Sequence, residues 1–258
     1  MDFFDIRIYD VIIMKIIGVI PARYESTRLP GKPLADICGK PMIWWTYHQA
    51  LKSQGLDDVI LAIDDGRVEE VCKDYGMKYI MTPKNNSTGV ERLSEVSNVI
   101  ESDVYLLIQG DEPLIESSSI SNMVKIIKEK SELKHVLTFK TEIKDPVDVI
   151  NPTIIKIVTD LFDNILFASR CPIPFPRSFI NFSYHKTVGL YAYPKEIMNR
   201  YNMFKIGPLE KIEDHDIIRL LENNIQIKAY LHETNTISVD TLKDLDRVRK
   251  IVESMSFN

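Results

Sequence analysis

Three apolar runs limit what this chain can fold into: Ile16-Ile17-Gly18-Val19-Ile20, Val59-Ile60-Leu61-Ala62-Ile63 and Val104-Tyr105-Leu106-Leu107-Ile108. Each is about one strand long and none alternates with polar residues, so each must be covered on both faces. Helical patterns lie between them. Pro41 opens one through about Gln54, with Met42, Trp45 and Gln49 on one side, and residues 68–75 form another that Gly76 closes. This alternation specifies an α/β fold with a mainly parallel sheet. The run 104–108 is the most apolar and is expected at the centre.

The loops at the strand ends carry the chemistry. The first run leads into Pro21-Ala22-Arg23-Tyr24-Glu25-Ser26-Thr27-Arg28-Leu29-Pro30-Gly31-Lys32-Pro33-Leu34. Arg23, Arg28 and Lys32 lie on a loop stiffened by prolines, at the sheet edge where open α/β folds hold ligands, and they suit a polyphosphate. The third run leads into Gln109-Gly110-Asp111-Glu112-Pro113. A carboxylate there, beside a phosphate loop, is a sensible magnesium ligand, because magnesium takes one or two carboxylates plus substrate phosphates. Ser87-Thr88-Gly89 opens a further helix whose free N–H groups would face an anion.

The net charge of -5, from 32 basic and 37 acidic residues, gives no support to nucleic-acid binding, so cations must act locally. Cys38, Cys72 and Cys171 form no CxxC pair and read as reduced thiols of a cytoplasmic protein. The apolar run 11–20 is broken by Lys15 and too short to span a bilayer, so no membrane partner is expected.

Read in full, PARYESTRLPGKPL resembles the signature of the 3-deoxy-manno-octulosonate (Kdo) cytidylyltransferases, or CMP-Kdo synthetases. QGDEP resembles a second motif of that family, Ser87-Thr88-Gly89-Val90-Glu91-Arg92-Leu93-Ser94-Glu95 its S-G-T-E-R-L-A-E segment with Val90 where Thr is usual, and Val239-Asp240-Thr241 a further one. The resemblance runs from about Lys15 to Arg249. It implies a Rossmann-like, mainly parallel (mixed) central sheet flanked by helices, with a smaller dimerisation lobe within about 160–207 and a homodimer. Residues 1–13 are then an upstream extension ahead of one nucleotidyltransferase domain, 14–258. The implied reaction joins CTP to a keto-sugar acid with release of pyrophosphate. Arg23 and Lys32 would hold the triphosphate, and Asp111 and Asp240 would carry Mg²⁺. Ala22, Ser26, Arg28, Arg92 and Gln109 would contact the nucleotide. Without the resemblance Asp240 reads as the cap of the last helix, and Arg92 as a surface partner of Glu91 or Glu95.

The sugar side departs from the family pattern. Thr187 stands where the family has His, and Asp216-Ile217 where it has Glu-Gln, while Tyr191 and Glu213 are kept. Thr187, Tyr191, Glu213 and Asp216 are the expected sugar contacts, on a strand and on one amphipathic helix, 208–221, with Leu209, Ile212, Ile217, Leu220 and Leu221 as its buried stripe. The acceptor is expected to be Kdo or a variant such as the 8-amino form. His185 reads as a core or surface histidine. A glycosyltransferase and an inactive nucleotide-binding protein are the alternatives.

Overall fold

The computed structural model describes residues 14–26, 28–130, 132–178 and 182–256. The expected extension, 1–13, lies outside them. The strands are β1 (Ile16–Ala22), β2 (Asp36–Ile37), β3 (Lys40–Pro41), β4 (Asp58–Ile63), β5 (Tyr79–Met81), β6 (Val104–Ile108), β7 (Val136–Glu142), β8 (Lys156–Thr159), β9 (Ile165–Ser169), β10 (His185–Pro194) and β11 (Ile227–Leu231). The helices are α1 (Met42–Lys52), α2 (Gly66–Asp74), α3 (Gly89–Val99), α4 (Ser117–Lys128), α5 (Pro146–Ile150), α6 (Lys195–Met198), α7 (Pro208–Glu213), α8 (Asp216–Glu222) and α9 (Leu242–Ser256).

The main sheet runs β11-β7-β10-β6-β1-β4-β5. β6, β1, β4 and β5 are parallel, which is why their sequences are apolar throughout and why helices cover both faces. β6 is the middle strand of that order and wholly buried, as its composition predicts. Two large clusters form the core, one on each face. The first includes Ile20, Leu61, Leu106 and Ile120, and the second Val19, Ile60, Leu107 and Ile218.

β10 enters the sheet antiparallel between β6 and β7. Leu190 lies opposite Ile108, so the first half of β10 runs past the end of β6 at the edge where β1 and β4 also finish. That reversal puts residues some eighty positions downstream beside QGDEP. The ladder slips at Gly189, whose carbonyl accepts the Gln109 N–H at 2.9 Å and whose Cα lies against the Glu112 carboxylate. β8 and β9 form a hairpin that attaches to the outer half of β10 and lies off the main strand order.

The helix expected over 208–221 is two helices. Asp214 takes a left-handed conformation (φ 50°), a geometry Asp tolerates better than most residues, and ends α7. His215 then starts α8, with Nδ1 accepting the Ile217 N–H at 3.3 Å. The break divides the expected stripe. Ile217 and Leu220 are buried, whereas Leu209 and Ile212 are 42% and 78% exposed. Residues 195–201 hold only the short α6 and a turn of 3₁₀ helix.

β1 and β6 meet closely at Gly110, where a Cβ would lie 2.5 Å from the Pro21 carbonyl oxygen. Replacing Gly110 with Ala must push the two strand ends apart. We expect G110A to lose about 1–3 kcal/mol in denaturant unfolding. At Gly66, where an added Cβ meets nothing within 4 Å, G66A should unfold like wild type.

Candidate active site

The ends of β1 and β6 open into a cleft of about 230 Å³. All seven residues expected at the nucleotide, Ala22, Arg23, Ser26, Arg28, Lys32, Arg92 and Gln109, line it, together with Asp111 and Asp240. Gly31, left-handed at φ 67°, turns the loop so that Lys32 faces inward. The Lys32 ammonium donates to Asp111 Oδ2 at 2.7 Å and to Asp240 Oδ1 at 3.0 Å, and Arg28 Nη2 donates to Asp240 Oδ1 at 3.0 Å. Burial opposes the Lys32 charge, yet the two carboxylates hold its pKa above the ordinary lysine value. The loop base is fixed from behind. Tyr24 N–H donates to Asp64 Oδ1, and the Arg67 guanidinium lies 3.5 Å from the Tyr24 ring centroid.

Asp240 is free to face this cluster because it does not cap α9. Thr241 does so instead: its Oγ1 accepts from the Asp244 N–H, and Asp244 Oδ2 accepts from the Thr241 N–H. The Val239 N–H donates to the Asp111 carbonyl at 2.8 Å and ties the two segments together. Two carboxylates converging on one cation are a fitting donor pair for Mg²⁺ completed by phosphate oxygens. Among the described residues there is no group of three or more His, Cys, Asp or Glu that would make a phosphate-independent metal site.

Arg92 lines the cleft as expected, but it is not the surface partner of Glu91 or Glu95 that its position alone suggests. Its side chain is 2% exposed, and its guanidinium donates to Asp64 Oδ2, Thr82 Oγ1 and the Pro83 and Asn86 carbonyls. It therefore holds the 82–88 loop in shape at the cleft wall. Its neighbour Glu91 pairs with Arg219 at 3.0 Å and accepts from the Ser87 and Thr88 N–H groups, within a capping box whose N-cap is Thr88. Arg219 in turn is bidentate to the buried Glu210, so α3 at the first cleft and α8 beside the second are joined by one guanidinium.

A second cleft, of about 250 Å³, adjoins the first and shares Arg28, Gln109, Asp111 and Asp240 with it. Thr187 and Tyr191 line it, as expected of sugar contacts. Glu213 and Asp216 are not among its lining residues. Glu213 stands behind, accepting from Ser169 Oγ at 2.6 Å and the Arg170 N–H at 2.8 Å. The helix break removes the common face on which the two acids were expected.

In their place the cleft presents Arg170, Lys186 and His215, which sequence reasoning missed. The Arg170 guanidinium is aimed by the Glu213, Asp214 and Pro152 carbonyls. Its one sequence signal was a cation directly after an apolar strand. Lys186 makes no close ion pair among the described residues, although its charge acts on Glu112. Glu112, 7% exposed, also reaches the cleft. Burial pushes its carboxyl up to about 7, against the Thr236 hydroxyl that donates to it at 2.8 Å. His185 lies on β10 opposite Glu142 and Ile157, outside the cleft.

Comparison with known proteins bears on this geometry. The family model described as Cytidylyltransferase matches residues 17–237. A 3-deoxy-manno-octulosonate cytidylyltransferase of Fusobacterium nucleatum is 41% identical over 91% of this chain and 96% of its own length. One from Escherichia coli is 37% identical over 92% and 96%. The chain belongs to the 3-deoxy-manno-octulosonate cytidylyltransferase family. A solved structure of CMP:2-keto-3-deoxy-manno-octonic acid synthetase complexed with CTP superposes with a TM-score of 0.87 at 36% identity, covering 93% of this chain and 99% of that one. The inositol-1-phosphate CTP transferase of T. maritima, 16% identical with a TM-score of 0.65, shares the fold. A nucleotidyltransferase, rather than a glycosyltransferase, is therefore the enzyme class.

Removing either acid should leave folding nearly intact, because Lys32 keeps one partner. We expect D111N and D240N each to lower kcat by about 10²–10³-fold. K32A should weaken CTP binding as well as turnover, read by calorimetry beside steady-state kinetics.

Proposed function

We propose that this chain transfers CMP from CTP to the anomeric hydroxyl of a 3-deoxy-2-keto sugar acid, Kdo or a close variant, releasing pyrophosphate. The observation that carries the reading is the meeting of two clefts at Arg28, Gln109, Asp111 and Asp240. A triphosphate in the first cleft has its α-phosphorus at that junction, where an acceptor in the second can reach it in line. Such a transfer depends on positioning and charge neutralisation.

Arg23, Arg28 and Lys32 bind the triphosphate, and the prolines on either side keep their loop from rearranging. Lys32 passes from the two aspartates to the phosphates, where its charge favours the departing pyrophosphate. Asp111 and Asp240, released from Lys32, would hold Mg²⁺, which when bound neutralises phosphate charge and polarises the α-phosphate. Ser26 and Gln109 orient the nucleotide. Arg170 and Lys186 suit the acceptor's carboxylate, because a guanidinium with a fixed planar fork and an unpaired ammonium recognise such a group well.

The exposed apolar residues Leu161, Phe162, Leu166 and Phe175, on and after the β8–β9 hairpin, support a homodimer through this lobe. Three free thiols, two of them exposed, fit the cytoplasm. Among the described residues, no helix is long and apolar enough to cross a membrane.

Two measurements test the proposal. Incubated with CTP, magnesium and a panel of keto-sugar acids, the protein should release pyrophosphate and yield a CMP-sugar identifiable by mass spectrometry. Chelator should abolish both signals, and CTP binding without product from any acid would refute the reading. In sedimentation the chain should run at twice its 29.8 kDa mass, and L161D with F175D should shift it to monomer.

A further inference from the structure

Resting on that reading, one group in the second cleft has an assignable task. His215 starts α8 and lines the cleft on the part that the nucleotide cleft does not share. Its Nδ1 accepts the Ile217 N–H at 3.3 Å, which leaves the ring proton of the neutral imidazole on Nε2. Among the described residues no group bonds to Nε2. Burial, with the charge of Arg170, keeps the imidazole less basic than usual against the opposing carboxylates of Asp216, Asp214 and Glu210. The ring is therefore a fixed, neutral N–H donor at the cleft wall.

The neighbours narrow what it can meet. Arg170 and Lys186 supply the positive charge of this part of the cleft and suit the acceptor's carboxylate. The carboxylates lining the cleft are Asp111, Glu112 and Asp240. Asp111 and Asp240 belong to the phosphate junction, and Glu112 is occupied by Thr236 and packed on Gly189. Asp216, whose Oδ1 lies 3.6 Å from the His215 Nδ1, does not line the cleft, so the lining leaves no free carboxylate for an ammonium group.

We propose that His215 is a specificity-determining residue, whose Nε2–H donates a hydrogen bond to a hydroxyl oxygen of the acceptor sugar. The preferred acceptor is then a hydroxylated sugar acid and not an amino-sugar acid. A pocket that offers such a donor discriminates strongly against a substrate that leaves it unmatched.

Asparagine and glutamine separate this task from the cap. H215N retains a good N-cap but withdraws the donor from the cleft, whereas H215Q carries an amide N–H out to roughly the Nε2 position. With Kdo as acceptor, we expect H215N to melt like wild type, keep its KM for CTP and raise its KM for Kdo about tenfold. H215Q should recover most of that loss. Wild type should favour Kdo over its 8-amino analogue by about tenfold or more in kcat/KM. An unchanged KM for Kdo in H215N, a parallel rise in both KM values, or preference for the amino analogue would each overturn the inference. If wild type makes no CMP-sugar from any acid, the transferase reading itself fails and this inference fails with it.

Discussion

The contact of Lys32 with both Asp111 and Asp240 is the constraint on which the rest of the site depends. It joins a loop after the first strand, a turn after the central strand and a segment just ahead of the last helix. Two carboxylates brought this close would repel one another in a partly buried cleft, and the ammonium offsets that repulsion. With Arg28 added, the cluster holds two negative and two positive charges. That four-residue cluster is therefore neutral as it stands.

The second constraint is topological. A purely parallel sheet would supply one ligand edge built from successive strand ends. The insertion of β10 against β6 adds the start of a later strand to that edge, and with it Thr187, Gly189 and Tyr191. The first cleft thus draws mainly on the early, parallel part of the chain, and the second largely on the irregular later part. The Glu210–Arg219–Glu91 bridge fastens one half to the other, with Arg219 4% exposed.

Legibility followed the same division. β1, β4 and β6 were readable because a strand buried on both faces needs an uninterrupted apolar run. The cleft-lining residues Arg23, Arg28, Lys32, Gln109 and Asp111 were readable because they lie in two contiguous motifs beside those strands. The second cleft was harder. Its groups come from β10, from the residue after β9 and from the start of α8, so no local window contains them. The break at Asp214 hid them further. An amphipathic spacing that counts Leu209 and Ile212 with Ile217 and Leu220 has no means of registering one left-handed residue between them, and that residue turns His215 toward the cleft and Glu213 behind Arg170. From its position on α3 alone Arg92 reads as a surface residue, because its burial beside Asp64 is decided by tertiary packing.

The distance along the chain between Arg28 and Asp240, 212 residues, has a bearing on how the protein is made. During vectorial synthesis the early strands can pair and collapse while β10 and the Asp240 segment are still inside the ribosome or not yet translated. Pairing at such separation is entropically slow, so the pocket and the β7–β10–β6 part of the sheet are among the last parts that can be completed. The first cleft is complete only once the Asp240 segment has been made.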